Sequence, residues 1–356
     1  YGHLNQARVS RGQPVAASQQ IGLAGRTGIS SFPHLHFSLI KEGATAANQT
    51  SFPDDLVDPA PLLVFPADRP EPEFPPELWP PGVALVGLHG RADGRMQPAD
   101  WEPFAVARVE ALKLLSSAAA EDVDTARARA GEELFLMVRL FADFRGRAVR
   151  AGDFAEWVSP DMERFYERGV RHFEVHNEPN LTAEGFGLSW NTGQEFGEWM
   201  LEVIGALRPR FPQALFGWPG LSPGPSVSGI RYDEKLFLRS AGSLVRQADW
   251  IGCHCYWRTE ADLLSEHGGL GYRYYREEYP ARLLFITEFS NPAAEVGWTT
   301  KGDQYRRYYE HLRSQPGVGA AFSFVVSASA NFPHEVWRRE DGSLTGIAHA
   351  VRSRSF

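Results

Sequence analysis

From Gly82 onward the chain alternates short apolar runs with longer amphipathic ones, and this alternation limits the possible folds more than any other feature. Runs of strand length occupy 83–89, 111–115, 134–141, 172–176, 214–218, 250–256, 283–288 and 320–326. Helical stretches lie between them at 122–131, 160–168, 194–208, 234–246, 261–278 and 303–313. Ser159-Pro160-Asp161-Met162-Glu163 reads as a helix start, with proline in the first turn and acids behind it. The connection after the first strand is the least regular. Eight strands with intervening helices over 82–356 predict an α/β fold, a (β/α)8 TIM barrel, in both count and size. An open doubly wound sheet is the runner-up. It calls for a glycine-rich phosphate turn after a strand, and none is evident.

In a barrel of this kind the chemistry lies at the C-terminal ends of the strands. The fourth run, Arg171-His172-Phe173-Glu174-Val175-His176-Asn177-Glu178-Pro179-Asn180, leads an apolar alternation into a polar cluster and stops at a proline. The seventh, Leu283-Leu284-Phe285-Ile286-Thr287-Glu288-Phe289-Ser290-Asn291, again delivers one carboxylate at its end. Two glutamates on two strand ends suit glycosidic bond cleavage, which needs an acid and a nucleophile facing each other across a sugar. One must hold a proton while the other is ionised. A gap of about 5–5.5 Å between them implies retention of configuration, and a much wider one implies inversion or an inactive site. The other strand ends offer His89, Arg139, Trp218, His254, Tyr256 and Trp257 as candidate substrate-binding groups. The chain has 10 Trp, enough to line a sugar cleft, although core packing explains most of them. A net charge of −8 argues against nucleic acid as the main partner.

Asn177-Glu178-Pro179 and Thr287-Glu288-Phe289 resemble the paired motifs of the large clan of retaining glycoside hydrolases with (β/α)8 barrels. The resemblance covers roughly residues 82–350. It implies that Glu178 is the acid/base, that Glu288 is the nucleophile, and that Asn177 binds the sugar 2-hydroxyl. His254-Cys255-Tyr256 is similar to the clan's His-x-Tyr on strand six, which implies a hydrogen bond from Tyr256 to Glu288. The clan often carries a tryptophan platform at the end of strand eight. Here that strand reads Phe322-Ser323-Phe324-Val325-Val326-Ser327, so Trp257, Trp298 or Trp337 is expected to substitute.

Residues 1–62 read as short strands punctuated by Gly12, Gly22, Gly25 and Gly28, a small all-β segment. His34 and His36 share one face of a strand, where two imidazoles can serve one metal or one substrate. Tyr1-Gly2-His3-Leu4, Gly12-Gln13-Pro14-Val15, Gln20 to Gly28 and Pro33-His34-Leu35-His36-Phe37 resemble, in order and spacing, the C-terminal half of the lysostaphin-like zinc endopeptidases of bacterial cell wall. The resemblance implies that His36 is a zinc ligand and that His3 and His34 assist the zinc-bound water. The family's other ligands, a His-x-x-x-Asp pair, lie upstream of the Tyr-x-His motif. The segment is therefore expected to be a truncated, peptidase-like remnant with an incomplete ligand set that holds zinc poorly. Residues 63–81 form a proline-rich stretch; nine prolines fall in 59–81, and a stiff linker is expected, with Phe74, Leu78 and Trp79 available for docking.

The two cysteines, Cys253 and Cys255, read as buried thiols. No run of about 18 apolar residues is present, so no membrane span is expected. The sequence as a whole predicts a glycosidase barrel (82–356) that needs no cofactor and acts on a polysaccharide or peptidoglycan-related glycan, outside the cell or in its envelope. A non-catalytic carbohydrate-binding barrel, and a wall peptidase that uses the barrel for targeting, are the alternatives.

Overall fold

A computed structural model describes residues 4–10, 12–15, 19, 21–24, 39–40, 56–57, 78–327 and 331–356. The chain divides into two compact units, Tyr1–Pro70 and Glu71–Phe356. In the first unit, β1 (Leu4–Ala7) pairs antiparallel with β2 (Gly22–Ala24), and β3 (Leu39–Ile40) with β4 (Leu56–Val57). His3, His34 and His36 lie outside the described residues.

The second unit is a closed parallel barrel of eight strands in sequence order. These are β5 (Leu85–His89), β6 (Ala111–Leu115), β7 (Phe135–Leu140), β8 (His172–Val175), β9 (Leu215–Trp218), β10 (Trp250–Tyr256), β11 (Leu284–Ser290) and β12 (Val318–Ser323). The barrel closes where Ala320 of β12 pairs with Leu85 of β5. Strands buried on both faces read as continuous apolar runs, which is why the sequence located them.

The barrel floor is an apolar plug of Trp79, Met137, Trp250, Phe285 and Phe322. Trp79 meets Phe135 and Phe285 edge-on, each at 5.2 Å, and its indole N–H donates to the Val83 carbonyl at 2.9 Å. Leu78, one residue earlier, is exposed. Trp79 therefore stands inside the barrel fold, although it lies in the stretch expected to be a linker.

Eight helices surround the strands among the described residues: α1 (Trp101–Ala107), α2 (Glu121–Ala130), α3 (Ala151–Glu167), α4 (Gly193–Leu207), α5 (Glu234–Ala241), α6 (Tyr272–Glu278), α7 (Trp298–Leu312) and α8 (Ile347–Arg352). Two expectations need correction. Helix α3 starts at Ala151 rather than near Pro160, which lies inside it. The apolar stripe Phe154, Ala155, Val158, Met162 and Phe165 is buried on both sides of the proline, and that packing carries the helix through it. The long helix expected at 261–278 is only α6. Its first half is a turn in which a Cβ on Gly268 or Gly269 would lie 2.2 or 2.1 Å from the carbonyl oxygen of Asp262 or Leu263. Only glycine permits that approach.

Candidate active site

At the C-terminal ends of the strands lies a cavity of about 850 Å³. Glu178, just past the end of β8, and Glu288, on β11, both line it. His254 on β10 stands between them. Its Nδ1 is 3.0 Å from Glu178 Oε1 and 3.8 Å from Glu288 Oε2, so these two oxygens are at most 6.8 Å apart. The backbone leading to the first carboxylate is unusual. His176 and Glu178 adopt φ of 71° and 34°, in the left-handed region that L-residues with side chains seldom occupy. The Glu178 N–H is held by the Gly220 carbonyl at 3.1 Å. Such backbone is found where a side chain must be aimed at a site.

The surroundings of Glu288 fix its charge. Burial pushes its carboxyl upward, but Arg139 first, then His254, Lys113 and His89, more than reverse this and hold it well below the usual range. Arg139 on β7 donates from Nη2 to Glu288 Oε1, and the Tyr256 hydroxyl donates to Oε2 at 2.5 Å. His89 at the end of β5 lies 3.9 Å from Oε1. Burial, with Lys113 second, pushes that imidazole down to about 3, so it is neutral at ordinary pH. Burial, with the Glu288 charge second, raises the Tyr256 phenol well above its normal value and keeps it a donor.

Asn177 reaches the cavity, but its Nδ2 donates to Glu184 Oε1 at 3.2 Å. Trp257 reaches the cavity wall with a buried ring. Its N–H donates to Gln304 Oε1 at 3.0 Å, and it packs against Phe289 and Tyr308. It therefore offers no open face to a sugar. Trp337 is buried and bonded to Ser323, and Trp298 packs beneath Lys301 and Arg339. The aromatic groups that do face the cavity at the end of β12 are Phe324 and Phe332, edge-to-face at 4.9 Å. Among other strand-end groups, Arg91 and Asp93 pair with each other, Asn291 bonds Gln304, and Trp218 is buried.

Several charged groups here were not singled out by the sequence. Lys113 on β6 and Glu174 on β8 are fully buried and 2.6 Å apart. Their signal was a charge in the middle of an apolar strand, which must find a counter-charge. Glu184 follows β8 in a short turn, Glu335 follows β12 in a loop, and Glu234 opens α5; all three line the cavity. Burial pushes each up to about 7. No local pattern marks these three. Among the described residues there is no cluster of three or more His, Cys, Asp or Glu able to hold a metal ion. No helix among them is long and apolar enough to cross a membrane.

Comparison with known proteins separates the two units. Residues 1–48 match the family model of peptidase family M23. Over 43 residues, 12% of this chain, the sequence is 49% identical to the peptidoglycan DD-endopeptidase ShyA of Vibrio cholerae serotype O1, and the match spans only 10% of that enzyme. The barrel is similar in fold to a GH128 subgroup II endo-β-1,3-glucanase of Pseudomonas viridiflava, with a TM-score of 0.51 and 14% identity over 76% of this chain and 98% of that one. It is also similar to GH5_18 of Streptomyces cattleya, solved with GlcNAc, with a TM-score of 0.53 and 14% identity over 76% and 79% of the two chains. A calcium-binding mutant of β-glucuronidase 2 of Bacteroides uniformis gives a TM-score of 0.55 at 12% identity, over 76% of this chain and 34% of that one. At these identities the likeness is one of fold.

Proposed function

We propose that the barrel is a retaining glycoside hydrolase acting by double displacement on a glycan of the bacterial envelope. The observation that carries this reading is the pair Glu178, just past the fourth barrel strand, and Glu288, on the seventh. They face one cavity with their nearest measured oxygens no more than 6.8 Å apart, one of them paired with a guanidinium. That limit favours the separation used for covalent catalysis, about 5–5.5 Å, over most of the 6.5–9.5 Å range that leaves room for an inverting water.

In the first step Glu288, ionised through Arg139 and Tyr256, attacks the anomeric carbon. Glu178 gives its proton to the departing glycosidic oxygen. Arg139 and Tyr256 hold one carboxylate oxygen each and so fix the angle of attack. In the second step Glu178 takes a proton from water, and that water's oxygen replaces Glu288 at the anomeric carbon. Asn177, fixed by Glu184, meets the sugar 2-hydroxyl, and Phe324 and Phe332 supply an apolar wall where strand eight carries no tryptophan.

The match of residues 1–48 to a peptidase family, and to an enzyme named for peptidoglycan, supports an envelope glycan as the target. It also keeps a second role in view for the segment holding His3, His34 and His36, with zinc on His36 if further ligands are supplied. Incubation with a panel of 2-deoxy-2-fluoro glycosides, followed by peptide mapping, tests the reading. A mass increment on Glu288 is the expected result. Labelling elsewhere, or glycan binding without turnover by any member of the panel, leaves a non-catalytic binding barrel instead.

A further inference from the structure

Beneath the two cavity carboxylates, the barrel interior holds a second pair of charges that the displacement steps do not use. Lys113 Nζ lies 2.6 Å from Glu174 Oε2 and 3.9 Å from Glu288 Oε1. It also donates to the Thr287 carbonyl at 3.0 Å, which ties β6 across the barrel to the residue just before Glu288. Glu174 Oε2 accepts from Arg139 Nε at 2.9 Å, and its Oε1 accepts from the Gly220 N–H at 3.2 Å. One guanidinium thus serves two buried carboxylates, Glu174 through Nε and Glu288 through Nη2.

Two anions sharing one cation compete for it. With Arg139 alone between them, a single positive charge would face two buried carboxylates, and the proton affinity of both would rise. Lys113 adds the second positive charge. A buried ion pair is poor evidence of stability, since an apolar pair of similar volume often serves as well. Its consequence here lies at the carboxylate next to it.

We infer that Lys113 and Glu174 are positioning residues for Glu288. Glu174 locks the fork of Arg139 toward Glu288, and Lys113 neutralises Glu174 so that the charge of Arg139 remains available to Glu288. The inference rests on the assignment of Glu288 as nucleophile. Burial, and after it Arg139, lower the lysine to about 8, so it is charged through the neutral range and loses that charge above it. The ionisable groups facing Glu288 are His89 from β5, Lys113 from β6, Arg139 from β7, Glu174 and Glu178 from β8 and its end, His254 and Tyr256 from β10, and Glu335 from the loop after β12.

The test compares Lys113→Met, Glu174→Gln and the double variant with the parent. The readout is the 13C NMR titration of the Glu288 carboxyl, alongside kcat and KM on an aryl glycoside that the parent hydrolyses. In the parent, Glu288 stays ionised down to the lowest pH at which the fold survives. In Lys113→Met it titrates inside the folded range, at least one unit higher, which is a tenfold or greater change in its proton affinity. Glu174→Gln lowers kcat about tenfold at unchanged KM without raising the titration. In the double variant, which leaves no uncompensated buried charge, Glu288 stays ionised across the folded range, as in the parent. Glu288 titrating alike in folded Lys113→Met and parent overturns the inference. Should Lys113→Met not fold, a double variant in which Glu288 titrates inside the folded range overturns it too. The NMR readout needs no turnover, so a parent without glycosidase activity would sink the functional reading and still leave the charge network decided.

Discussion

Replacing Arg139 by methionine removes the largest influence that lowers Glu288 and leaves burial, the largest that raises it. One charge-assisted hydrogen bond contributes roughly 1.5–3 kcal/mol. That equals about one to two pKa units, since each unit corresponds to about 1.4 kcal/mol. With that counter-charge gone and burial left in place, the carboxyl moves upward from its position well below the usual range. The sign follows directly. The nucleophile acts as the anion, so a raised value removes activity as pH falls through it. On an aryl glycoside with a good leaving group, where protonation by Glu178 matters least, kcat/KM of Arg139→Met should lie below the parent at every pH, because the fork is lost, with a further loss of about ten- to a hundredfold as pH falls through the raised value. Arg139→Lys keeps a charge without the fork and should keep the low-pH limb with a lower rate at every pH. The measurement is a pH–rate profile on variants whose near-UV circular dichroism matches the parent. A loss independent of pH, or no loss, would refute the assignment of Arg139 as the group that keeps Glu288 ionised.

Other outcomes follow from the same structure. Glu178→Ala should lower kcat by about 10²–10⁴ on substrates with poor leaving groups and far less on activated ones, with added azide restoring turnover as a glycosyl azide of retained configuration. Trp79→Ala opens the barrel floor and should cost about 3–5 kcal/mol in a urea titration, without changing KM. The Glu335 carboxyl rises from 4.5 to about 7, so the folded state keeps a proton that the unfolded chain releases in that window. Stability therefore falls as pH climbs through it, by up to roughly 3 kcal/mol. Glu335→Gln should remove that slope, raising the urea midpoint at pH 8 and leaving it nearly unchanged at pH 4.

The barrel was legible because buried parallel strands are written as apolar runs. The bounds read for 111–115 and 250–256 coincide with β6 and β10. Helices were harder where local signals opposed tertiary packing. Pro160 suggested a beginning, yet the apolar stripe around it runs through. The glycines at 268–271 were weighed too lightly against a helical pattern. The short helices α1 and α8 passed unnoticed because each offers too few turns for a periodicity to show. In the cavity, Glu178 and Glu288 stood out because each ends an apolar run. Lys113 and Glu174 were visible as isolated charges within such runs, but their pairing across β6, β7, β8 and β11 needs the closed sheet. Glu184 and Glu335 come from connecting loops, and only the fold brings them near the pair. Trp257 read as a sugar platform from its place after β10, whereas its indole is consumed by the Gln304 bond and the aromatic packing behind it.

The left-handed backbone at Glu178 sets a lasting tension within this molecule. Glycine or asparagine would occupy that position with less strain, of the order of 1–3 kcal/mol. Descendants of this gene selected only for sturdiness should therefore drift to those residues there, and lose the cavity carboxylate as they do so. A lineage that retains the glutamate is one in which that carboxylate still matters.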